Sequence, residues 1–159
     1  MDQIYRVRYE NCSRHTVQVH NHDQNGVELF NNIHVGTCIL PGGNETLKFK
    51  FAQSRFPAKK YIFTLFEVLG QDGYIYVGAI EFWSVTHGAG ICKRGKEKDA
   101  AIQNPYSTIK NAKNKLFRTT VDCMTEKMTE RENIRVTVKL EDGDSEHIDV
   151  KVIITSNEG

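Results

Sequence analysis

Apolar and polar residues alternate with a period of two along much of this chain. Between residues 46 and 51, Leu47, Phe49 and Phe51 alternate with Lys48 and Lys50. Successive side chains of a strand point to opposite faces, so this run predicts a half-buried strand with one wet face. Near the C-terminus Ile134, Val136, Val138 and Leu140 alternate with Arg135, Thr137 and Lys139. Glu141-Asp142-Gly143-Asp144 follows, and Ile148, Val150, Val152 and Ile154 resume the alternation. Asp-Gly suits the positive-φ positions of a tight turn, so the spacing predicts a β-hairpin. A second hairpin is predicted over 60–69 and 74–84, joined by Gly70-Gln71-Asp72-Gly73. Its strands are apolar on both faces, with Tyr61, Phe63 and Leu65 on one side and Ile62, Phe66 and Val68 on the other. Such strands belong in the middle of a sandwich or at an oligomer interface. Earlier strands are predicted at 4–9, 16–21, 27–30 and 37–40, with a turn at Pro41-Gly42-Gly43-Asn44.

Residues 87 to about 113 break the rhythm, with three glycines, many charges and scattered apolar residues. They predict a long basic surface excursion with a short helix at 96–103, and long loops often carry function. Residues 116–123 return to strand, and 125–132 form a polar link or short helix. The expected fold is mostly β: one antiparallel β-sandwich domain over 1–159, with about 8–10 strands, the excursion and little helix.

Composition narrows the function classes. The 159 residues are 39% hydrophobic and 26% charged, with a net charge of +1, which disfavours disorder and nucleic acid as a partner. The charge is uneven. Eight Lys and Arg face two acids between Lys93 and Arg118, and nine acids face four bases between Asp122 and Asp149. Those blocks suit an anionic surface, or each other, within one molecule or between two. The N-terminus lacks the apolar stretch of a signal peptide, so the expected setting is the cytosol, with release by a non-classical route as the exception. Four cysteines, at 12, 38, 92 and 123, lack metal spacing. They read as reduced thiols, with bridging left open.

Candidate chemistry is sparse. Gly90-Ile91-Cys92-Lys93-Arg94-Gly95-Lys96-Glu97 nearly spells a phosphate-binding loop, but Glu97 stands where a hydroxyl should ligate magnesium. What remains is a basic turn, and Lys93, Arg94, Lys96 and Lys98 are the expected anion- or surface-binding residues. His20 and His22, two apart on a strand, would share a face, yet no third metal ligand can be named. Trp83, Tyr74 and Tyr76 are the expected aromatic contacts, weighed against plain core packing. Two glycosylation sequons occur, at Asn11 and Asn44. No catalytic, metal or cofactor site is expected.

The order of features resembles aegerolysin-type β-sandwich proteins, a group that includes lipid-binding proteins of fungi and small insecticidal crystal proteins. The carriers are the run from Asn11 to Val19, Gly36-Thr37, Pro41-Gly42-Gly43, Phe51-Ala52-Gln53-Ser54 and the hairpin leading to Trp83. The resemblance covers about the first half of the chain and departs from the lipid-binding members in having a single tryptophan. It implies a non-enzymatic protein that recognises membrane lipids. The leading expectation is therefore a binding module for a lipid head group, glycan or protein partner. The alternative is a self-associating structural protein that forms oligomers, shells or inclusion bodies.

Overall fold

A computed structural model describes residues 3–53, 59–112, 114–117, 122–126 and 132–158. The first strands in chain order are β1 (Ile4–Cys12), β2 (Val17–Asn25), β3 (Val27–Leu29), β4 (Cys38–Ile39) and β5 (Asn44–Phe51). The long hairpins of the second sheet follow as β6 (Lys60–Val68), β7 (Tyr74–Phe82) and β8 (Ser84–Cys92). Two helices, α1 (Lys96–Gln103) and α2 (Pro105–Lys110), precede β9 (Asn114–Phe117), β10 (Asp122–Glu126), β11 (Glu132–Glu141) and β12 (His147–Glu158). Of the expected link over 125–132, residues 125–126 belong to β10 and 132 to β11, and 127–131 lie outside the described residues.

These strands make two six-stranded sheets, ordered β10-β11-β12-β1-β5-β3 and β4-β2-β6-β7-β8-β9. The sandwich is as expected, with two refinements. Twelve strands rather than eight to ten are formed among the described residues, because residues 84–92 form β8 and the expected strand over 116–123 overlaps two strands, β9 and β10. The first sheet is also mixed. β1 lies parallel to β12, from Ile4 beside His147 to Cys12 beside Thr155. That register sets Tyr5, Val7 and Tyr9 beside Ile148, Val150 and Val152, which aligns the apolar faces of two strands distant in sequence.

The main core lies between the sheets, where Val7, Phe49, Phe66, Val77, Val138 and Val152 are among the buried residues. The two-sided strands of the second sheet need a further cover. Ile62, Phe66 and Val68 face the main core, while Phe63 and Leu65 join a second cluster with Tyr74, Cys92, Tyr106 and Ile109. The cover is the helix pair. Alternation along β6 thus reads as expected, and the partner for its outer face is the chain's own segment 96–110.

The excursion is the main correction. Residues 87–92 belong to β8, and its alternation was hidden because Gly88 and Gly90 take the outward positions. Gly88, with Gly78 of β7, makes room for α2, whereas Gly90 makes room for the Tyr76 ring. A Cβ on Gly78 would meet the Ile62 carbonyl and sit 2.9 Å from Ile109 Cδ1; one on Gly88 would lie 3.1 Å from the Ile109 carbonyl. Any side chain there would lift the helix off the sheet. The expected helix at 96–103 is formed with those limits, and α2, which opens on Pro105, was not foreseen.

The Asp-Gly hairpin also differs from expectation. β11 and β12 are joined through residues 142–146, and Gly143 is not in the left-handed region. The turn is built on Asp144 instead. Its carboxylate accepts the backbone N–H groups of Glu146 and His147, both at 2.8 Å.

Candidate functional site

The strand directions gather several features at one end of the sandwich. β1, β8 and β12 begin there, and β11 ends there. A cavity of about 410 Å³ opens between the sheets at this end. Gln3, Tyr5, Val85 and His87 form one wall. The other wall comes from the β11–β12 connection, with Leu140, Glu141, Asp144, His147 and Ile148.

The charged groups of this cavity are held in place from outside it. Arg6 makes two bonds to Asp149, at 2.5 and 2.9 Å, and lies 3.7 Å from Asp144. Lys151 lies 3.4 Å from Glu141. His147 Nδ1 lies 2.8 Å from Asp144. The His147 side chain and the Glu146 backbone N–H together hold the Asp144 carboxyl below the usual carboxylate range. His87 is different. It is buried beside the Tyr5 ring, with centroids 5.6 Å apart, and its Nε2 has no hydrogen-bond partner. Burial pushes its pKa down to about 4, so the imidazole is neutral at neutral pH.

Two residues before Val85, the β7–β8 hairpin turns at Trp83. Trp83 has a φ of 66°, the only left-handed non-glycine among the described residues. Its side chain is 95% exposed, and Phe82 beside it is 59% exposed. The two rings meet edge to face, 5.9 Å between centroids. Lys110, at the end of α2, places Nζ 5.8 Å from the Phe82 ring, and Lys59 stands 5.5 Å from the Tyr106 ring. The tip is therefore apolar, bulky and flanked by cations.

The expected site residues do not form one surface. Tyr74 starts β7 and Phe82 ends it, so Trp83 and the basic turn lie roughly 26–30 Å apart, at 3.3 Å per residue. Tyr74 is buried in the second core and Tyr76 is half-buried, so of the three expected aromatics Trp83 alone presents its ring. At the basic turn Arg94 bonds Asp72 at 3.0 Å and reaches Glu67 at 3.5 Å. Lys98 lies 3.5 Å from Asp99, with its Nζ 5.5 Å from the Tyr74 ring centroid. Lys93 and Lys96 are exposed. The resemblance to a phosphate loop fails for a local reason: Glu97 Oε2 accepts the Lys93 backbone N–H at 2.7 Å, so the chain supplies its own anion. Lys113 and Arg118 lie outside the described residues.

The histidine pair is also split. β2 carries an irregularity between Val19 and Asn21, which shifts the face on which later residues fall. His20 packs against Tyr74 on the outer side, while His22 bonds Thr64 Oγ1 at 2.9 Å. The sequon at Asn11 is closed, because Asn11 is fully buried and its amide donates to the carbonyls of His15 and Ile39. Cys12, Cys38 and Cys92 are free thiols.

No protein-family model matches the chain, and no curated protein sequence does. Solved structures do. The lipid-binding protein Nakanori superposes with a TM-score of 0.67 at 8% identity, over 97% of this chain and 71% of that one. A lectin from Xerocomus chrysenteron, XCL, carrying three methionine substitutions, gives 0.57 at 10% identity, over 97% and 98%. Its wild-type form gives 0.56 at 12% identity, over 97% and 99%. The chain shares their fold. The β-sandwich implied by the aegerolysin-type resemblance is thus present across nearly the whole chain, well beyond the half that carried it in sequence.

Sequence reasoning missed the cavity. Its walls come from residues 3–5, 85–87 and 140–148, and only the strand order brings them together. The signal that could have been used was Trp83 at the junction of two strands, where glycine, asparagine or aspartate is the usual choice.

Proposed function

We propose that the protein is a non-enzymatic binding module that docks on a lipid surface through the Phe82–Trp83 tip. One observation carries this reading: a tryptophan 95% exposed and held in a left-handed backbone. An exposed tryptophan contributes nothing to the core, and its backbone conformation costs a non-glycine residue about 1–2 kcal/mol. A role outside the folded chain accounts for both. Tryptophan suits the membrane–water boundary because its ring is apolar and its indole N–H is polar. Lys110 and Lys59, whose Nζ atoms lie beside the Phe82 and Tyr106 rings, would meet lipid phosphates at the margin of the docked surface. The shared fold with a lipid-binding protein supports the same reading.

Self-association is the second reading, and the same tip favours it, since an exposed aromatic pair also suits a second copy. The apolar outer faces of β6 and β7 no longer argue for it, because α1 and α2 cover them. Co-sedimentation with phosphatidylcholine vesicles, with and without anionic lipid, separates the two. Wild-type protein is expected to pellet with vesicles and Trp83→Ala to bind at least tenfold more weakly. A wild type that stays in solution at every composition overturns the membrane reading. Mass that rises with protein concentration, and falls in Trp83→Ala, supports self-association instead.

A further inference from the structure

The cavity beside the tip has a chemistry of its own. Among the described residues no lysine or arginine lines it; its carboxyl groups are those of Glu141 and Asp144, with the His147 imidazole beside Asp144. A phosphate or sulfate entering there meets those two carboxylates, with no lysine or arginine in the wall to offset them. A cation is not specially favoured either. Asp144 is shared between His147 and Arg6, and Glu141 faces Lys151, so each carboxylate already has a positive or potentially positive neighbour. What the cavity offers is a fixed set of acceptor oxygens with the Gln3 amide beside them. His87 adds a neutral ring to the wall, more than nine-tenths buried. Val85, Leu140 and Ile148 supply an apolar side. A volume of about 410 Å³ lies within the usual range for a small-molecule site, about 300–1,000 Å³.

This combination fits one class of ligand. A pyranose carries hydroxyls that donate to carboxylates and accept from an amide, and its C–H face packs on aliphatic side chains. It brings no charge that the wall would have to neutralise. We propose that this cavity binds the ring of a neutral hexose, taken either from a free glycan or from the head group of a glycolipid. The site is separate from the Phe82–Trp83 tip, and neither requires the other. With a glycolipid, the two would engage the same surface, because Val85 of the wall lies two residues beyond Trp83.

The test is ligand-observed saturation-transfer NMR on the full chain. The probes are methyl glycosides of glucose, galactose, mannose and N-acetylglucosamine, with inorganic phosphate and choline chloride as charged controls. At least one glycoside is expected to receive saturation, and neither control is. Gln3→Ala and Glu141→Ala alter exposed positions, so both are expected to fold with unchanged melting profiles. Each should weaken the glycoside at least fivefold, whereas Trp83→Ala should leave its affinity unchanged. Vesicles of phosphatidylcholine with and without a neutral glycosylceramide identify the source. Stronger binding to the glycosylceramide vesicles assigns a lipid head group, and equal binding to both assigns a free glycan. Saturation of no glycoside, insensitivity to both variants, or binding of phosphate or choline in place of sugar overturns the proposal. Any of those results leaves vesicle docking through Trp83 standing, and a failure of vesicle docking leaves glycoside binding standing.

Discussion

Replacing Trp83 by glycine separates the cost of the tip from its use. At a φ of 66°, a bulky L-residue bears about 1–2 kcal/mol of steric strain. Glycine relieves it but loses more chain entropy on folding, roughly 0.5–1 kcal/mol. The 95% exposed ring surrenders almost no burial, and its exposed edge contact with Phe82 is worth about 0.5 kcal/mol, the low end of the range for such pairs. The balance favours Trp83→Gly by about 0.3 kcal/mol, a rise in Tm of roughly 1 °C for a chain of this size. Trp83→Ala keeps the strain and stays within about 0.5 kcal/mol of wild type. Membrane docking moves the other way. Burying a large aromatic side chain is worth about 1.5–3 kcal/mol, so its loss weakens vesicle binding roughly ten- to hundredfold. Differential scanning calorimetry and vesicle co-sedimentation read the two quantities on the same samples. A glycine variant less stable than wild type by more than 1 kcal/mol refutes the strain argument. One that binds vesicles as tightly as wild type refutes the functional one.

The other predictions concern the scaffold. Ile109→Ala empties a fully buried position beneath α2 and is expected to cost about 2–5 kcal/mol in urea denaturation. Asn11→Ala leaves the His15 and Ile39 carbonyls without their buried donor and should cost about 2–4 kcal/mol by the same assay. His87 has a folded pKa of about 4 against about 6.5 unfolded. The unfolded chain therefore binds the extra proton first, and the stability that neutral His87 contributes is lost as pH falls from about 6.5 towards 4. The gap between wild type and His87→Gln should shrink by about 3 kcal/mol over that interval in denaturation titrations; a gap independent of pH would show that His87 is not desolvated.

The sandwich was legible in the sequence wherever one strand face is wet or both are apolar. The alternation of Leu47, Phe49 and Phe51 against two lysines, and the two apolar sets of 60–69, each predicted the observed faces. It was illegible wherever a residue was small for a steric reason. Gly88 and Gly90 looked like a loop because glycine carries no hydropathy signal, yet both are in strand, Gly88 so that Ile109 can rest on the sheet and Gly90 so that the Tyr76 ring can. The bulge in β2 defeated the His20–His22 pairing because an i, i+2 rule assumes an unbroken pleat. Charge, too, is read differently by distance than by counting. Counting cations singled out Lys93 to Lys98, whereas distances show Arg94 and Lys98 occupied by acids and Glu97 closing its own turn. The cavity was hidden by topology, since a parallel pairing of the first and last strands cannot be read from either one alone.

The helix pair links fold to function. Without α2, the outer faces of β6 and β7 would be an apolar sheet surface far larger than the tip, and that surface would dominate any association. Ile109 resting over Gly78 and Gly88 closes it. Lys110 beside Phe82 then ties the end of α2 to the β7–β8 tip, and Tyr106 beside Tyr61 ties its first turn to the start of β6. Bracing of this kind reduces the freedom that Trp83 would lose on docking, so more of its burial energy appears as affinity. The segment that looked like an irregular basic loop thus hides one apolar surface and supports the small one left exposed. If that is its role, Ile109→Ala should weaken vesicle binding under conditions where the variant is still fully folded, by loosening the tip rather than altering any residue that meets the membrane. Unchanged vesicle affinity in folded Ile109→Ala protein would limit α2 to covering the sheet.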